Sequence, residues 1–415
     1  MRFSRWSSLF LAALALSTAA HAQTTLDTYR LTRIGVETFG IVDPVVSDIN
    51  ENGEMAASTD EFTGRPAPQR ALLLRDGMVI ELGDLMGGAS PRTFSSAIND
   101  LTQITGFTIV QGASGQEGRA FLWEAGEMRD LGIESLGSVN DINNRGQIVG
   151  NAVESGSVVP ILWEDGRTTF LELLPCPRGR FGLANAINEN GVIVGASAAG
   201  VGERAVMWRN GEVMVLVPTL PLESGIAVDV NDRNEAIGRY ARIGEELDVF
   251  PVSFLWNDGG VTVLPPLDRP EANVGALAIG INNESQIVGA TRFGTGATLA
   301  TLWQDGAVVD LNALVSDDDP LKPFVTLTLG TRITDSGLII AIGEDSREPP
   351  PMANTYYLLT PTGASFTAAS PPSSSDTDSG GGAVDLLSLL LLILGLSSFA
   401  RFQQCSPRAA LGSVA

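Results

Sequence analysis

The sequence predicts an all-β protein, a seven-bladed β-propeller, and two recurring motifs support this fold class. The first is an Asn turn followed by a short apolar, β-branched run, as in residues 143–150. The second is an apolar pair and a tryptophan followed by a two-residue turn, as in residues 161–166. Repeats of about 40 to 50 residues with several short strands are typical of propeller blades. Copies of the first motif follow Ile49, Ile98, Ile142, Ile187, Val230, Ile281 and Ile333, at intervals of 43 to 52 residues.

The first 22 residues predict a secretory signal peptide. Arg2 and Arg5 precede an apolar run, and the small residues Ala20 and Ala22 occupy the cleavage positions. Signal peptidase is therefore expected to cut before Gln23. The alternative is an uncleaved anchor, although the apolar run is short for a bilayer span.

The mature chain then opens with residues 29–35, whose alternating pattern predicts one strand. This strand has the phase of the returning strand of a hairpin, whereas the last repeat has a degenerate turn at residues 361–363. We expect the N-terminal strand to complete the seventh blade and leave no open edge. The alternative is an open β-solenoid, which would need capping segments that the sequence does not show.

Within the repeats, the turn after the apolar pair predicts a type I′ hairpin, because Asp-Gly or Asn-Gly between two apolar runs favours that turn. Each repeat thus supplies at least three strands, with room for a fourth. Five of the six tryptophans fall at one phase of the hairpin, which indicates core packing between blades rather than sugar binding. The six turns are Asp76-Gly77, Ala125-Gly126, Asp165-Gly166, Asn210-Gly211, Asp258-Gly259 and Asp305-Gly306, of which Ala125-Gly126 is the weakest.

The composition changes after the last repeat. Residues 368–382 predict a disordered stalk of Ser, Pro, Asp and Gly. Residues 383–400 predict a helix of about 27 Å, near the minimum for crossing a bilayer, and Arg401 follows on the side expected to face the cytoplasm. The alternative is a helix packed within the globule. The predicted division is a signal peptide 1–22, a repeat domain 23–367, a stalk 368–382, a transmembrane helix 383–401 and a short tail 402–415.

Composition excludes several classes of function. The formal net charge of -22 and the single lysine, Lys322, exclude a basic surface for nucleic acid. The only histidine, His21, lies in the signal peptide, so the mature chain cannot build a Ser-His-Asp or Cys-His catalytic set. No nucleophile elbow or P-loop is present. Cys176 and Cys405 do not predict a disulfide framework.

Carboxylates and amides are the remaining candidate ligands. Asp48, Asn50 and Asn52 match the first half of a calcium loop, but the position of the final Glu is held by Thr59. A structural Asx turn is the preferred interpretation and calcium is the alternative; no other cofactor is predicted. The acidic run 317–319 could supply paired carboxylates for glycoside hydrolysis, although a solvated acidic loop is preferred.

Two resemblances follow from these motifs. The repeat resembles the HAF-type extracellular repeat of bacterial proteins over most of residues 29–366, and this resemblance implies secretion without an assigned activity. The tail resembles a GlyGly-CTERM sorting signal, which implies cleavage by a rhomboid-like protease and then surface attachment or release. Residues 402–415 replace the short basic cluster of that signal, so a plain membrane anchor is the alternative. The signal comprises Gly380, Gly381, Gly382, the apolar helix and Arg401.

Together these observations predict an exported protein, associated with the surface or membrane, that acts as a binding or structural module. The chain is predicted not to be an enzyme, and any activity would be independent of histidine. The alternative function is an extracellular carbohydrate-active enzyme with paired carboxylates. The expected location is the cell surface, the medium, or the membrane facing the periplasm through residues 383–400. The ligand is not predicted.

Overall fold

The computed structural model describes residues 25–42, 44–59, 69–85, 92–112, 115–133, 135–177, 179–200, 202–217, 223–242, 252–269, 275–348 and 355–367. In these ranges the chain forms seven four-stranded antiparallel sheets, the blades of a seven-bladed β-propeller. The predicted fold class is thereby confirmed. The signal peptide, the stalk, the 383–401 helix and all the processing residues lie outside the described residues. Within the described ranges, no helix is long and apolar enough to cross a membrane.

Each blade contains strands a to d, with strand a nearest the axis and strand d at the rim. Blade 1 contains β2 (Val45–Ile49), β3 (Met55–Ser58), β4 (Ala71–Arg75) and β5 (Met78–Glu81). Blade 2 contains β6 (Thr93–Ile98), β7 (Ile104–Gly112), β8 (Gly115–Glu124) and β9 (Glu127–Asp130). Blade 3 contains β10 (Leu136–Ile142), β11 (Ile148–Glu154), β12 (Ser157–Glu164) and β13 (Arg167–Phe170). Blade 4 contains β14 (Gly182–Ile187), β15 (Ile193–Ala199), β16 (Gly202–Arg209) and β17 (Glu212–Val215). Blade 5 contains β18 (Glu223–Val230), β19 (Ala236–Arg242), β20 (Val252–Asn257) and β21 (Gly260–Val263). Blade 6 contains β22 (Gly275–Ile281), β23 (Ile287–Arg292), β24 (Thr298–Gln304) and β25 (Ala307–Asp310).

Blade 7 joins the two ends of the propeller. It contains β26 (Val325–Ile333), β27 (Ile339–Asp345), β28 (Thr355–Thr367) and, as its outermost strand, β1 (Thr25–Ile34). The N-terminal strand pairs antiparallel with β28, so the predicted closure is confirmed. Two short helices, α1 (Val36–Phe39) and α2 (Leu311–Leu314), precede blade 1 and blade 7.

The tight hairpins have the backbone that the sequence predicts. Both turn residues have positive φ in all six hairpins, as a type I′ turn requires. Even Ala125 adopts φ 52°, followed by Gly126 at 90°. The turn chemistry therefore joins strand c to strand d in blades 1 to 6.

A register shift recurs in strand a of every blade and explains the glycine that ends the Ile-Val-Gly run. In blade 3 the shift lies between Val139 and Asp141. It brings strand a so close to strand b that a Cβ on Gly150 would lie 2.2 Å from the Ser138 carbonyl oxygen. Only a residue without a side chain fits there unless the backbone moves.

The core is divided into seven apolar clusters, which lie mainly between neighbouring blades. The five hairpin tryptophans are only 2% to 6% exposed, which confirms that they pack between blades. The Trp163 indole N–H also donates to the Leu131 carbonyl, which follows the last strand of the preceding blade, at 3.0 Å. Tryptophan therefore supplies both apolar area and a polar contact between blades.

Candidate functional site

The two faces of the propeller differ in regularity. Five residues join strand a to strand b in every blade, as between Ile142 and Ile148, and two residues form each hairpin. Because the strands are antiparallel, these turns share one face, which we call the ring face. The opposite loop face carries the b–c connections and the links between blades. There twelve residues separate Ser58 from Ala71, whereas the b–c connections of blades 2, 3 and 4 have only two.

A belt of asparagine side chains runs around the ring face. The Asn143 Oδ1 atom accepts the backbone N–H groups of Arg145 and Gln147, each at 3.1 Å, which fixes its own turn. Its Nδ2 atom donates to the Asn188 carbonyl of the next blade at 3.0 Å. The same interblade bond recurs from Asn50, Asn99, Asn188, Asn231 and Asn282. Asparagine thus closes six of the seven turns and joins each of these blades to the next, whereas Thr334 closes the turn of blade 7.

The residues after the six belt asparagines, together with Asp335 after Thr334 in blade 7, form a second, closed ring. The backbone N–H of Asp100, for example, donates to Asn144 Oδ1 of the next blade at 2.8 Å. The ring closes where the Asp335 N–H donates to Glu51 Oε1 at 2.6 Å, from blade 7 to blade 1. The seven members are Glu51, Asp100, Asn144, Glu189, Asp232, Asn283 and Asp335. Sequence reasoning missed this ring, although every copy has an acidic residue or Asn at that position.

The fourth residue of each turn has positive φ in all seven blades, yet three blades do not use glycine there. In each of the three, the side chain bonds to the preceding blade. Thr102 donates to Glu54 Oε2 at 2.6 Å, and Ser285 donates to Glu235 Oε2 at 2.5 Å. Asn234 Oδ1 accepts from the belt asparagine of blade 4 at 3.0 Å. An interblade hydrogen bond therefore offsets part of the backbone strain.

Three aspartates on alternate blades line the inner wall. Asp141 accepts the Ile142 N–H of its own strand and the Ile187 N–H of the next blade, both at 2.8 Å. Asp229 makes the equivalent pair of bonds in blades 5 and 6. Asp48 accepts the N–H of the next blade and also pairs with Arg332 Nε of blade 7 at 3.0 Å. These carboxylates hold backbone donors that the shifted strands leave unpaired.

Burial changes the proton affinity of this wall. Desolvation raises the pKa of Asp229 to about 6, against the lowering effect of its backbone hydrogen bonds and of Arg332. The pKa of Asp141 is raised well above its ordinary value by desolvation and by the charges of Asp48 and Asp229. Each of the three residues directly follows the register shift in strand a, the strand nearest the axis. They form the strongest group of perturbed acids in the described residues.

The three calcium candidates have separate partners. Asp48 is engaged with Arg332 and the Ile98 N–H, whereas Asn50 belongs to the belt. Asn52 donates to the Asp100 carbonyl at 3.1 Å. Within the described ranges no three Asp, Glu, His or Cys side chains are placed to hold a metal ion. These residues form the predicted Asx turn, since Asn50 Oδ1 accepts two backbone N–H groups of its own loop.

The acidic run 317–319 lies beside β1 at the outer edge of blade 7. Asp317 is fully exposed beside Lys322, and Asp318 pairs with Arg30 at 2.6 Å. Asp319, in contrast, is only 3% exposed and accepts the Leu31 N–H at 2.8 Å. The interpretation of the run as a solvated loop is therefore wrong for Asp319, because its carboxylate covers the free edge of β1.

One depression on the ring face lies between blades 1 and 2. It has a volume of about 450 Å³, and its lining includes Arg75, Leu101, Trp123 and Glu124. Leu101 is 60% exposed, but Trp123 is 6% exposed and Arg75 is paired with Glu54. The depression thus offers one free apolar side chain beside groups that already have partners.

The fold and the ring define the class of this protein, a closed seven-bladed β-propeller module. No family model matches the chain, and no curated protein sequence matches it. Solved propellers have a similar fold. The propeller domain of the Trilobed protease from Pyrococcus furiosus is 10% identical with a TM-score of 0.47, covering 78% of this chain and 97% of that one. The oligogalacturonate lyase from Vibrio parahaemolyticus is 10% identical with a TM-score of 0.48, covering 81% and 98%.

The Pyrococcus horikoshii acylaminoacyl peptidase is 12% identical, with a TM-score of 0.46, and this chain spans about half of its length. These similar structures come from two peptidases and a lyase, which contradicts the prediction that the chain is not an enzyme. That prediction is wrong as stated and is withdrawn. At such low identities the likeness concerns the fold alone.

Proposed function

We propose that the protein is an exported propeller module, associated with the cell surface or membrane, whose loop face binds a partner. The difference between the two faces carries this proposal. On the ring face every a–b turn has five residues and every hairpin has two, whereas the connections on the loop face range from two residues to the fourteen between Asp310 and Val325. In repeat proteins, insertions collected on one face are typical of the binding surface.

The hydrogen bonds of the ring face support this choice. The belt asparagines use both side-chain atoms within the ring, and the members of the second ring accept backbone N–H groups of neighbouring blades. A partner on that face would compete with bonds that hold the blades together. Binding at the loop face leaves these bonds intact.

Export and attachment rest on the two ends of the chain. The leader before Gln23 and the apolar segment 383–400 support passage through one membrane and association with it. The resemblance to HAF-type repeats supports an extracellular location. The resemblance to a GlyGly-CTERM signal supports processing near Gly380 by a rhomboid-like protease, and a retained anchor is the alternative.

Intact mass and fractionation of the protein from its own host test the location. We expect a chain that begins at Gln23 and is found outside the cytoplasm. A C-terminus at residues 380–382 would support sorting and release, whereas retention of residues 383–415 in the membrane fraction would support the anchor. A cytoplasmic chain that still begins with Met1 would overturn the proposal of export.

A photo-crosslinking amino acid placed at exposed positions on each face tests the binding surface in intact cells. Val153 is 43% exposed near the loop-face end of β11, and Leu101 is 60% exposed on the ring face. We expect position 153 to give a discrete crosslinked product and position 101 to give none. Crosslinks at Leu101 alone would place the partner on the ring face and contradict the proposal.

A further inference from the structure

Arg239 lies on strand b of blade 5, on the side of the sheet that faces blade 6. Ile237, two residues earlier and hence on the same side, packs in one cluster with Ala276 and Trp303 of blade 6. Ser253 is the cross-strand neighbour of Arg239. Its hydroxyl donates to the Ala276 carbonyl at 2.8 Å and accepts the N–H of the residue two positions later. The guanidinium therefore belongs to the interface between blades 5 and 6.

This guanidinium lacks a counterion in the part of the chain that the structure describes. The Nη1 atom of Arg239 is buried and has no hydrogen-bond partner there. Burial lowers the pKa of Arg239, and no charged group among the described residues contributes to that shift. An arginine nevertheless stays protonated at neutral pH. Among the described residues, the interface thus holds a positive charge whose buried Nη1 donor is unsatisfied, an arrangement that costs stability.

The equivalent position in the other six blades is neutral. In each blade one residue of strand b pairs with the hairpin tryptophan of strand c, or with the leucine at that position in blades 1 and 7. Arg239 lies three residues after it in blade 5. The residues three positions after it in the other blades are Ser58, Phe107, Asn151, Ala196, Ala290 and Ile342. Blade packing therefore does not require a cation at this depth. The chain carries 48 acidic residues, yet none that the structure describes is paired with Arg239.

We propose that Arg239 anchors an oxyanion site between blades 5 and 6, for a carboxylate or a phosphate group. The planar guanidinium presents paired N–H donors that match two oxygens of such a group, which a single ammonium does not do. Arg239 as a residue is only partly buried, so solvent reaches part of the side chain. This site is independent of the proposed export and of the partner on the loop face. A negative result for the site would leave both of those proposals unchanged.

Thermal unfolding of the purified full-length chain tests the site. Inorganic phosphate or acetate replaces chloride at constant ionic strength, and each is titrated in the millimolar range. The variants are Arg239→Met, which is neutral and of similar length, and Arg239→Lys, which keeps the charge without the fork. Arg119→Met is the control, because Arg119 is half exposed and pairs with Asp130 at 2.9 Å on blade 2.

We expect phosphate, acetate or both to raise the unfolding midpoint of the unchanged chain and of Arg119→Met by about 2 °C or more. Arg239→Met should not respond, and in chloride it should be more stable than the unchanged chain. A response to only one anion would identify the group that binds. An equal response of Arg239→Met, or a Met variant that is less stable in chloride, would overturn the proposal. If that variant does not fold, equilibrium dialysis of phosphate and acetate decides, and no saturable binding at one per chain would refute the site.

Discussion

At the scale of single residues, left-handed backbone is accommodated in two ways. Most positions with positive φ hold Gly, Asn or Asp, which adopt it at little cost, whereas Thr102 and Ser285 bond to the preceding blade. Ala125 has positive φ with a methyl side chain that cannot make such a bond. Of the turn positions, Ala125 is therefore the one at which a substitution is most clearly expected to increase stability.

Replacing Ala125 by Asn should raise the free energy of unfolding by about 0.5–1 kcal/mol, because Asn tolerates left-handed backbone better than Ala. The matched reverse change is Asp165→Ala in the hairpin of blade 3, where Asp165 has φ 49°. That variant should lose a similar amount. Urea unfolding of both measures the effect, and changes of the same sign would contradict this account of the turn.

The raised pKa values of the inner wall predict a stability that falls with rising pH. In the folded protein the pKa of Asp229 is about 6, above its ordinary value of 3.8. The stabilisation that comes from this raised pKa is therefore complete below pH 3.8 and is lost as pH rises through about 6. From that shift the loss is of order 3 kcal/mol. Asp141 acts in the same direction. Unfolding midpoints in urea should therefore be lower at pH 8 than at pH 5.

Asp229→Asn tests the assignment of this pH dependence. The amide cannot accept both backbone N–H groups, so the variant should be less stable than the unchanged chain at pH 5. It cannot ionise, so its loss of stability between pH 5 and pH 8 should be clearly smaller. Equal losses in the two proteins would show that Asp229 does not titrate in this range.

At the scale of elements, the belt asparagine is the most heavily used side chain in each turn. Asn143→Ala should lower the free energy of unfolding by about 3 kcal/mol, because it leaves two turn N–H groups and the Asn188 carbonyl without partners. Asn143→Asp should lose less, since it keeps the acceptor oxygen. Chemical denaturation of the two variants measures the order.

The control for the belt is Asn190→Ala in the turn of blade 4. Asn190 is exposed, and its side chain makes one bond, to the Asp232 carbonyl at 2.7 Å. Its loss should cost about 0.5 kcal/mol or less. If Asn190→Ala costs as much as Asn143→Ala, the belt has no special part in joining the blades.

The sequence predicts elements well where the signal is local and repeated. The Asp-Gly hairpins, the Asx turns and the strand at residues 29–35 each follow from a few adjacent residues. Six copies of the hairpin and seven of the a–b turn reinforce the interpretation of the repeats. Contacts between blades were not predictable, because they join residues 43 to 52 positions apart through side chains whose direction depends on the register shift in strand a. The second ring belongs to this class, and the burial of Asp319 depends on a still more distant contact, with Leu31 at the other end of the chain.

At the scale of the whole molecule, ring closure depends on a strand whose outer edge needs protection. β1 is the outermost strand of blade 7, and its free edge would expose unpaired backbone groups. The segment between β25 and β26 covers it. Val315 forms a parallel bridge with Tyr29, the Ser316 N–H donates to the Tyr29 carbonyl at 2.9 Å, and Asp319 accepts the Leu31 N–H. The long link into blade 7 thus has a structural use.

Asp319→Ala should therefore loosen the closure of the propeller more than it disturbs any blade. The Leu31 and Leu321 N–H groups lose their acceptor, and the expected loss of unfolding free energy is about 2–3 kcal/mol. Hydrogen exchange should accelerate across β1 and remain slow in blades 2 to 5, because the lost bonds lie only at the closing strand. Asp317→Ala is the matched control, since Asp317 is fully exposed beside Lys322 and should change neither measurement. Uniformly faster exchange in all blades would show instead that β1 and the ring open as one cooperative unit.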